Sequence, residues 1–424
     1  MGGVLVSMFG GFLALGFPIY LVLGITAVVL LLLTGTPMIG VTQKLLDGLN
    51  SETLTALPFF VAAATFMERG GMAKALIEAA SSWVGQVRGG LGIVTVVGCM
   101  FFAAMCGSSV ATAMAMGTIL VPGMLRQRYD RHFAAGVVGA SGTLGILIPP
   151  SLAMIVYGVL ADESVPRLFL AGVVPGILQA TLIGAWVLFY AHKRGYPRSE
   201  RRTMSDFKRA NLHALPAFAL PVIVLGGIYG GVTTVTEAAA LSAFAAILIS
   251  LFAYRTMRAQ EIIPLLAEAA RRSAGIMIII VVALVFGHWV TESRIAYDLV
   301  RMAQENNLQT WHFLVFVTAL LLFLGMFLEV FSVLLIALPV LLPLLGPFGI
   351  DPVHFGMIVV ITMELALLTP PVGLNLFVLA SITEAPLAEV IKGIIPFAAL
   401  IALLLVLVIV FPELSLWLPN IVLE

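Results

Sequence analysis

The chain has 424 residues, of which 61% are hydrophobic and only 10% are charged. Soluble domains carry about 25% charged residues, so this composition excludes a soluble globular protein and predicts a polytopic membrane protein. The zero net charge excludes a generic nucleic-acid binder, and Cys99 and Cys106, which lie in apolar sequence without a CxxC spacing, exclude a disulfide or zinc framework.

The first half of the chain contains several apolar segments of unequal length. No basic residue precedes Lys44, so we expect no cleaved signal sequence, and the first apolar run should remain as a span. Some runs are too short to cross about 30 Å of hydrocarbon and others too long for one simple helix. The runs are 4–16, 18–34, 52–67, 89–105, 110–124, 132–160 and 166–191.

A polar gap over 192–211, HKRGYPRSERRTMSDFKRAN, separates these runs from a second set. The segment 259–272, AQEIIPLLAEAARR, is amphipathic and predicts a separate helix at the membrane interface. The second set of apolar runs is 214–229, 235–254, 275–290, 309–327, 330–345, 355–381 and 387–412.

Two apolar runs are interrupted by a double proline. Residues 139–151 read GASGTLGILIPPS, and residues 363–375 read MELALLTPPVGLN. At the same offset of 221 residues, three further pairs coincide, and the tripeptide RHF at 131–133 faces VHF at 353–355 near this register. These coincidences predict a tandem repeat; the three pairs are Pro122 with Pro343, Gly172 with Gly393, and Pro175 with Pro396.

The loops indicate that the second repeat is inverted. The loop 124–131 contains three arginines, whereas its counterpart 344–351 contains no basic residue, and cytoplasmic loops are enriched in Lys and Arg. An inverted repeat needs an odd number of crossings in each half, which holds if 89–124 is a re-entrant hairpin. The topology then puts 17 of the 22 basic residues in four cytoplasmic loops and both termini outside; the loops are 68–88, 124–131, 192–212 and 255–272.

This arrangement predicts an all-α membrane protein of two inverted repeats, each with a re-entrant helical hairpin and a broken helix. The hairpins are expected at 89–124 and 309–345, and the broken helices at 132–160 and 355–381. Repeat one would then comprise scaffold helices 1–67 and transport-domain segment 68–165. Scaffold helices would follow over 166–290, the second transport-domain segment over 291–386, and a C-terminal scaffold helix over 387–424.

Proline has no amide hydrogen, so each proline pair leaves helix carbonyls without their usual partners. The affected carbonyls are those of Gly145 and Ile146 in the first break and of Ala366 and Leu367 in the second. Irregular backbone survives at membrane depth only where protein buries it or a wet cavity adjoins it. Carbonyls clustered at the negative end of a half-helix can bind a hard cation, as broken helices do in secondary transporters.

The hairpin tips would supply further oxygens opposite each break. The tip GSSVAT offers Gly107 for the chain reversal and Ser108, Ser109 and Thr112 as hydroxyl donors, and GMFLEVFS offers Gly325, Glu329 and Ser332. The alternative interpretation is that hydroxyls satisfy helix backbone and prolines only kink helices. Ionisable groups at membrane depth are candidate functional groups; they are Glu237, Glu329 and Glu364. Other candidates to line the substrate or ion site are Ser141, Thr143, Pro370 and Asn375.

Together, FFVAAATFMERGG, GSSVAT, GILIPPS, GIDPVHFG and LLTPPVGLNLFV strongly resemble the large membrane subunit of tripartite ATP-independent periplasmic (TRAP) transporters, the DctM-like proteins. The resemblance runs nearly end to end. It implies the elevator-type architecture of the wider ion-transporter superfamily and sodium-driven import of an organic acid, such as a C4-dicarboxylate or a sialic-acid-like carboxylate. Sodium ions would be the coupling ions, and no organic cofactor is implied.

The resemblance also implies sodium-binding positions. In the first repeat these are Ser108, Ser109, Gly145, Ile148 and Ser151. In the second they are Gly325, Ala366, Thr369 and Val372, which would bind largely through backbone oxygens. One departure is Glu329, because the family usually has Asp after GMFL; the extra methylene puts that residue's contact in doubt.

The implied partners are a small four-helix membrane subunit (DctQ-like) and a periplasmic substrate-binding protein (DctP-like), in the bilayer of the bacterial inner membrane. The chain starts directly at the large subunit, so we expect the small subunit to be a separate protein. No nucleic-acid partner is expected, and the chain is not expected to be an enzyme.

Other functions remain as alternatives at this stage. A stand-alone sodium- or proton-coupled carboxylate symporter of the same superfamily would need no partner subunits. A rhomboid-like intramembrane protease is a remote alternative, because GASG at 139–142 fits its GxSG motif with Ser141 as nucleophile. No histidine is evidently placed as its base, and a protease leaves the repeat unexplained. A channel is less compatible still, since nothing resembles a selectivity filter.

Overall fold

In a computed structural model, the named secondary-structure elements of the described residues are all helices. They are 7–12, 15–35, 39, 41–43, 46, 50–198, 203–293, 299–302, 305–306 and 308–423. The first predicted span, 4–16, therefore lies only partly within them, and Lys44 and Arg294 lie outside. Eight of the described helical segments are long and apolar enough to cross a membrane.

The helices are numbered here in chain order. The first half contains α1 Ile19–Thr34, α2 Glu52–Arg69, α3 Met72–Val84, α4 Gly90–Cys106, α5 Ser109–Arg126, α6 Arg131–Leu147, α7 Leu152–Ala161 and α8 Val165–Arg194. The second half contains α9 Met204–Pro221, α10 Val235–Leu248, α11 Ile262–Glu292, α12 Thr310–Gly325, α13 Val330–Leu345, α14 Pro352–Leu367, α15 Leu374–Thr383, α16 Leu387–Val410 and α17 Glu413–Leu423.

One group of helices packs through small side chains. Helix α2 lies along α10 and α11, and α11 also lies along α1. The α10 face that is buried carries four alanines, and small residues let membrane helices approach closely. These alanines are Ala238, Ala239, Ala243 and Ala246.

The hairpins and broken helices occur in the same order in both halves. Helices α4 and α5 precede the broken helix α6–α7, and α12 and α13 precede the broken helix α14–α15. The two sets also contact each other reciprocally, because α5 packs on α15 and α13 packs on α7. The opposite orientation of the second set in the membrane stays a prediction.

Helices α8 and α16 pack closely on the first broken helix and its neighbours. Both were expected in the scaffold, as part of 166–290 and of 387–424. In the structure α16 packs along α6 and α14, and α8 packs along α4 and α6. The reason is close backbone contact at glycines: a Cβ on Gly136 would lie 2.2 Å from the Gly393 carbonyl oxygen, and one on Gly172 would lie 2.4 Å from that of Leu147. The division into scaffold and transport domain stays a prediction.

The predicted separate interfacial helix over 259–272 is wrong as an independent element. A 3-10 turn, Ala259–Glu261, leads directly into α11, which continues unbroken from Ile262 to Glu292. Pro264 lies in the first turn, where its missing amide hydrogen is tolerated. After it, no proline interrupts the helix, and Ala, Glu and Arg are good helix formers.

Candidate functional site

The first break is closed by the hydroxyl of Ser151. Helix α6 ends at Leu147, and Ser151 is the N-cap of α7, where its Oγ accepts from the Met154 amide at 3.4 Å. The same hydroxyl donates to the Ile146 carbonyl at 2.7 Å, which replaces the helical partner that Pro150 cannot supply. Ser151 and both prolines are buried, and the Pro149–Pro150 peptide is cis.

The tip of the first hairpin lies directly against this break. Gly107 makes the turn between α4 and α5 with a φ of 64°, a conformation that glycine adopts without strain. A Cβ on Gly107 would lie 3.0 Å from the Pro150 carbonyl oxygen, and one on Gly145 would lie 2.7 Å from the Ser108 carbonyl oxygen. Backbone therefore meets backbone, and the Ser108 carbonyl lies directly against Gly145.

The hydroxyls of the first tip are engaged in different ways. Ser108 is the N-cap of α5 and accepts from the Ala111 amide at 3.5 Å, while its carbonyl accepts the Thr112 hydroxyl at 2.7 Å. The Ser109 hydroxyl accepts from Asn375 Nδ2 at 2.7 Å. This bond joins the first hairpin to α15, the helix that follows the second break.

The second break is closed by backbone groups. The Thr369 amide donates to the Ala366 carbonyl at 3.1 Å, and the Thr369 hydroxyl donates to the Leu365 carbonyl at 2.6 Å. The Gly373 amide donates to the Met326 carbonyl at 3.0 Å, which ties the break to the tip of the second hairpin. The Pro370–Pro371 peptide is cis, and both prolines are exposed.

Of the four carbonyls predicted to be free, two thus have new partners. Ile146 and Ala366 accept hydrogen bonds from Ser151 and Thr369. Within the described part of the chain, no hydrogen bond reaches the carbonyl of Gly145 or that of Leu367. Each break therefore offers one capped and one uncapped carbonyl, and the uncapped one occupies a different position in the two repeats.

The structure brings most of the predicted residues into two groups. Around the first break lie Gly107, Ser108, Ser109, Thr112, Gly145, Ile148 and Ser151, with Asn375 joining through Ser109. Around the second lie Ala366, Thr369, Pro370, Val372 and Gly325, where a Cβ on Gly325 would lie 2.7 Å from the Ala366 Cβ. Neutral oxygens dominate both groups.

Other predicted residues lie apart from the breaks. Glu329 is the exposed N-cap of α13, and its carboxyl group lies within hydrogen-bonding reach of Ser332. Ser141 is fully buried one turn before Gly145, and its hydroxyl has no hydrogen-bond partner among the described residues. Glu237 caps the start of α10 through the Thr234 amide at 2.9 Å. Its role is therefore structural.

Thr143 lies in a buried polar cluster with Glu364 and Gln179. Its hydroxyl is 3.3 Å from Glu364 Oε2 and accepts from Gln179 Nε2 at 3.1 Å. Sequence reasoning named Glu364 only as one carboxylate at depth and did not identify Gln179. The sequence did contain a signal for the pairing of Thr143 with Glu364, because Glu364 stands 221 residues after Thr143, at the offset that relates the repeats.

A charged cluster lies beside the first hairpin tip. Arg272 of α11 pairs with Glu68 of α2 at 3.4 Å and with Glu268 at 2.8 Å, and Arg69 pairs with Glu268 at 3.1 Å. Cys106, the last residue of α4, has its Sγ 3.9 Å from Glu68 Oε1. The tip that adjoins the first break thus lies next to the charged ends of α2 and α11.

The sequence matches a known family over most of its length. Residues 5–414 match the family described as "Tripartite ATP-independent periplasmic transporter, DctM component". Several of its relatives are named as TRAP transporter permeases, among them three with different substrates in their names. The C4-dicarboxylate TRAP transporter large permease protein DctM of Pseudomonas aeruginosa is 41% identical over 377 residues, covering 89% of this chain and 88% of that protein.

The two other relatives differ in named substrate. The sialic acid TRAP transporter large permease protein SiaM of Vibrio cholerae is 34% identical and covers 89% of this chain and 88% of its own length. The isethionate TRAP transporter permease protein DctMQ of Oleidesulfovibrio alaskensis is 36% identical, and the match covers 90% of this chain but 60% of that longer protein.

A solved structure shares the fold. The crystal structure of the Alcanivorax borkumensis YdaH transporter aligns with a TM-score of 0.63 over 92% of this chain and 90% of that chain, at 13% sequence identity. The prediction of an all-helical polytopic membrane protein is confirmed by this likeness together with the eight candidate spans.

Proposed function

The chain belongs to the DctM family of TRAP transporters, and from that premise we propose that it is the large membrane subunit of a sodium-coupled importer of an organic acid. It is a transport protein and not an enzyme, as its permease relatives are. The proposed location is the bacterial inner membrane, with both termini on the periplasmic side.

The observation that carries the sodium proposal is the pair of breaks, each facing a hairpin tip. Both breaks combine the carboxyl end of a half-helix with neutral oxygens, those of Gly145 and Ser108 in one and of Ala366 and Leu367 in the other. Backbone and hydroxyl oxygens suit a hard cation, and helix carboxyl ends add negative potential. Sodium fits such a donor set without a carboxylate.

The relatives' names support the substrate and partner proposals. One relative is named for C4-dicarboxylates and one for sialic acid, so we propose a carboxylate of one of these kinds. The DctMQ relative carries both component letters in its name and is longer than this chain, which supports a small DctQ-like membrane subunit as a partner. A periplasmic DctP-like protein would deliver the substrate.

The packing supports an elevator mechanism. Helices α1, α2, α10 and α11 form the proposed static group, and the hairpins with the broken helices form the moving group. The first hairpin tip lies beside Glu68 and Arg272, in segments whose basic residues favour the cytoplasmic side. From this contact we propose that the moving group is in its inward-facing position.

The alternatives differ in what supports them. A stand-alone symporter of the same architecture would use the same two breaks, and it is the second candidate. The protease alternative has no nucleophile–base pair to support it, because no histidine among the described residues bonds to the Ser141 hydroxyl.

Uptake in proteoliposomes tests the proposal. This chain with the small subunit and the binding protein should take up labelled carboxylate only with an inward sodium gradient. Ser109→Ala should raise the sodium concentration that gives half-maximal uptake, and Pro371→Ala should weaken sodium dependence by giving the uncapped Leu367 carbonyl a helical partner. Thr362→Val, which removes only a hydroxyl bonded within its own helix, is the matched control. Full uptake by this chain alone would favour the stand-alone symporter.

Cysteine labelling tests the topology. Cys99 and Cys106 are buried, so they need not be removed. Ile421→Cys, exposed near the C-terminus, should react with an impermeant reagent in intact spheroplasts, whereas exposed Lys193→Cys should not. Labelling of Lys193→Cys would overturn the inverted topology.

A further inference from the structure

Thr143 and Glu364 occupy equivalent positions in the two repeats, yet they touch each other. Thr143 precedes the uncapped Gly145 carbonyl by two residues, and Glu364 precedes Ala366 by two residues. Residues related by a pseudo-two-fold axis meet only where they lie beside that axis. Their contact therefore joins the two broken helices, α6 and α14, at the junction between the repeats.

The cluster around this contact has more acceptor oxygens than donor hydrogens. Thr143 and Glu364 are fully buried, and Gln179 of α8 is 1% exposed. The Thr143 hydroxyl has one hydrogen, for which the Ala140 carbonyl at 2.9 Å competes with Glu364 Oε2 at 3.3 Å. Among the described residues, neither Glu364 Oε1 nor Gln179 Oε1 has a hydrogen-bond donor.

No positive charge compensates Glu364. Within the described part of the chain it takes part in no salt bridge. Other titratable side chains on the helices around it stand toward helix ends; they include His132, Tyr190, His312, His354 and Lys392. The Tyr157 hydroxyl, from the middle of α7, donates to the Pro352 carbonyl at the start of α14. A buried carboxylate without a cation is costly, and proteins avoid it by neutralising the group.

We infer that Glu364 holds a proton and, as a neutral acid, ties the two broken helices together. The added hydrogen supplies the missing donor, because it can be donated to Gln179 Oε1 or to Thr143 Oγ1. A proton also needs no cavity, whereas a sodium ion would need room among three fully packed side chains. Glu364 is thus a positioning residue whose acid group holds α6, α8 and α14 in one arrangement.

Infrared spectroscopy tests the protonation directly. Purified wild-type protein at neutral pH should show the C=O stretching band of a protonated carboxylic acid, and the wild-type minus Glu364→Gln difference spectrum should contain that band. A difference spectrum with only carboxylate bands would mean that Glu364 is ionised, and a bound cation would then replace the proton. This result does not depend on whether the chain transports anything.

Two substitutions separate the neutral acid from a charged group. Glu364→Gln keeps one acceptor and puts an N–H where the acid has O–H, so sodium-driven uptake should stay within about threefold of wild type. Glu364→Leu removes the carboxyl group that Thr143 and Gln179 share, so it should lower uptake by about tenfold or more. Thr362→Val, a buried change on the same helix, should have little effect. Equal loss in Glu364→Gln and Glu364→Leu would overturn the proposal.

The sodium dependence of uptake tests whether the contact between Thr143 and Glu364 couples the two breaks. This test rests on the proposed sodium coupling. If the two breaks respond together, sodium activation of uptake should be steep in wild type and in Glu364→Gln. The Hill coefficient should fall toward one in Thr143→Val, which removes the contact from the α6 side and leaves Glu364 in place. An unchanged Hill coefficient in Thr143→Val would refute the tie. Sodium-independent uptake in wild type would refute the proposed function while the infrared result stands.

Discussion

The two breaks share their proline pairs but are closed by different chemistry. The first is buried, and the hydroxyl of Ser151 caps its Ile146 carbonyl. At the position equivalent to Ser151 the second repeat has Val372, which has no hydroxyl, so the Leu367 carbonyl, equivalent to that of Ile146, has no cap among the described residues. The neighbouring Ala366 carbonyl accepts from the Thr369 amide instead. The same irregular backbone can thus be stabilised by a side chain where it is sealed and by backbone where it is exposed.

The two hairpin tips also differ, both in how their second helix is capped and in their length. Ser108 and Glu329 occupy equivalent positions as the N-caps of α5 and α13, but only the Ser108 side chain accepts a capping hydrogen bond. Two residues separate α4 from α5, whereas four separate α12 from α13. The shorter tip meets its break through the backbone of Ser108, which cannot change rotamer, so substitutions at the first break should have larger effects than those at the second.

The largest expected effect comes from adding a methyl group at Gly145. The new Cβ would meet the Ser108 backbone, which cannot move without displacing the whole tip. At Gly325 the corresponding Cβ would meet the Ala366 and Met363 side chains, and methionine can change its rotamer. We expect Gly145→Ala to destabilise by about 2–3 kcal/mol, the upper part of the range for overpacking, and to abolish uptake.

Thermal unfolding in detergent and sodium-driven uptake are the measurements, and Gly325→Ala is the matched variant. Gly325→Ala should retain a higher unfolding temperature and more uptake than Gly145→Ala. If Gly325→Ala proved the more damaging of the two, the first break would not be the tighter one.

The next effect in size concerns Ser151. Ser151→Ala leaves the Ile146 carbonyl buried without a donor and removes the N-cap of α7, which together should cost about 1–2 kcal/mol. Val372→Ala at the equivalent position loses only two methyl groups from a half-buried side chain. The unfolding temperatures of the two variants should therefore rank Ser151→Ala below Val372→Ala, and the reverse order would contradict the capping role.

The hydrogen bond between Asn375 and Ser109 links the helix that follows the second break to the first hairpin tip, so it is suited to a double-mutant cycle. Asn375→Ala and Ser109→Ala should each destabilise, and the pair should couple by about 1 kcal/mol because both lose the same buried bond. Chemical unfolding of the four proteins gives the coupling free energy. Simple additivity would mean that the bond contributes nothing to holding α15 on the first hairpin.

Local chemistry explains what the sequence could predict. Proline pairs in apolar helices gave the positions of both breaks, because the missing amide is a property of the residue itself. Gly107 similarly predicted the first tip, since a tight reversal needs a positive φ. These features depend on a few neighbouring residues, so no knowledge of packing was needed.

Features that depend on distant residues could not be predicted in the same way. The approach of Gly136 to Gly393 places α16 on α6, and nothing near either glycine in the sequence specifies the other. The replacement partner of Ala366 was also missed, because a tightened last turn is a conformational choice of the backbone. Gln179 completes the buried cluster from a third helix, without any motif of its own.

The smallest expected effect distinguishes the two N-caps. Ser108→Ala removes a long capping bond of 3.5 Å, so its cost should be about 0.5 kcal/mol, the low end for helix caps. Glu329→Gln should change stability by less than about 0.5 kcal/mol, because the side chain is exposed and makes no capping bond. The amide also keeps an acceptor for Ser332, so sodium-driven uptake should persist. A Glu329→Gln variant that is folded but inactive, with wild-type uptake that follows pH rather than sodium, would make Glu329 a proton carrier. The second hairpin tip would then bind the coupling ion, which would be the proton.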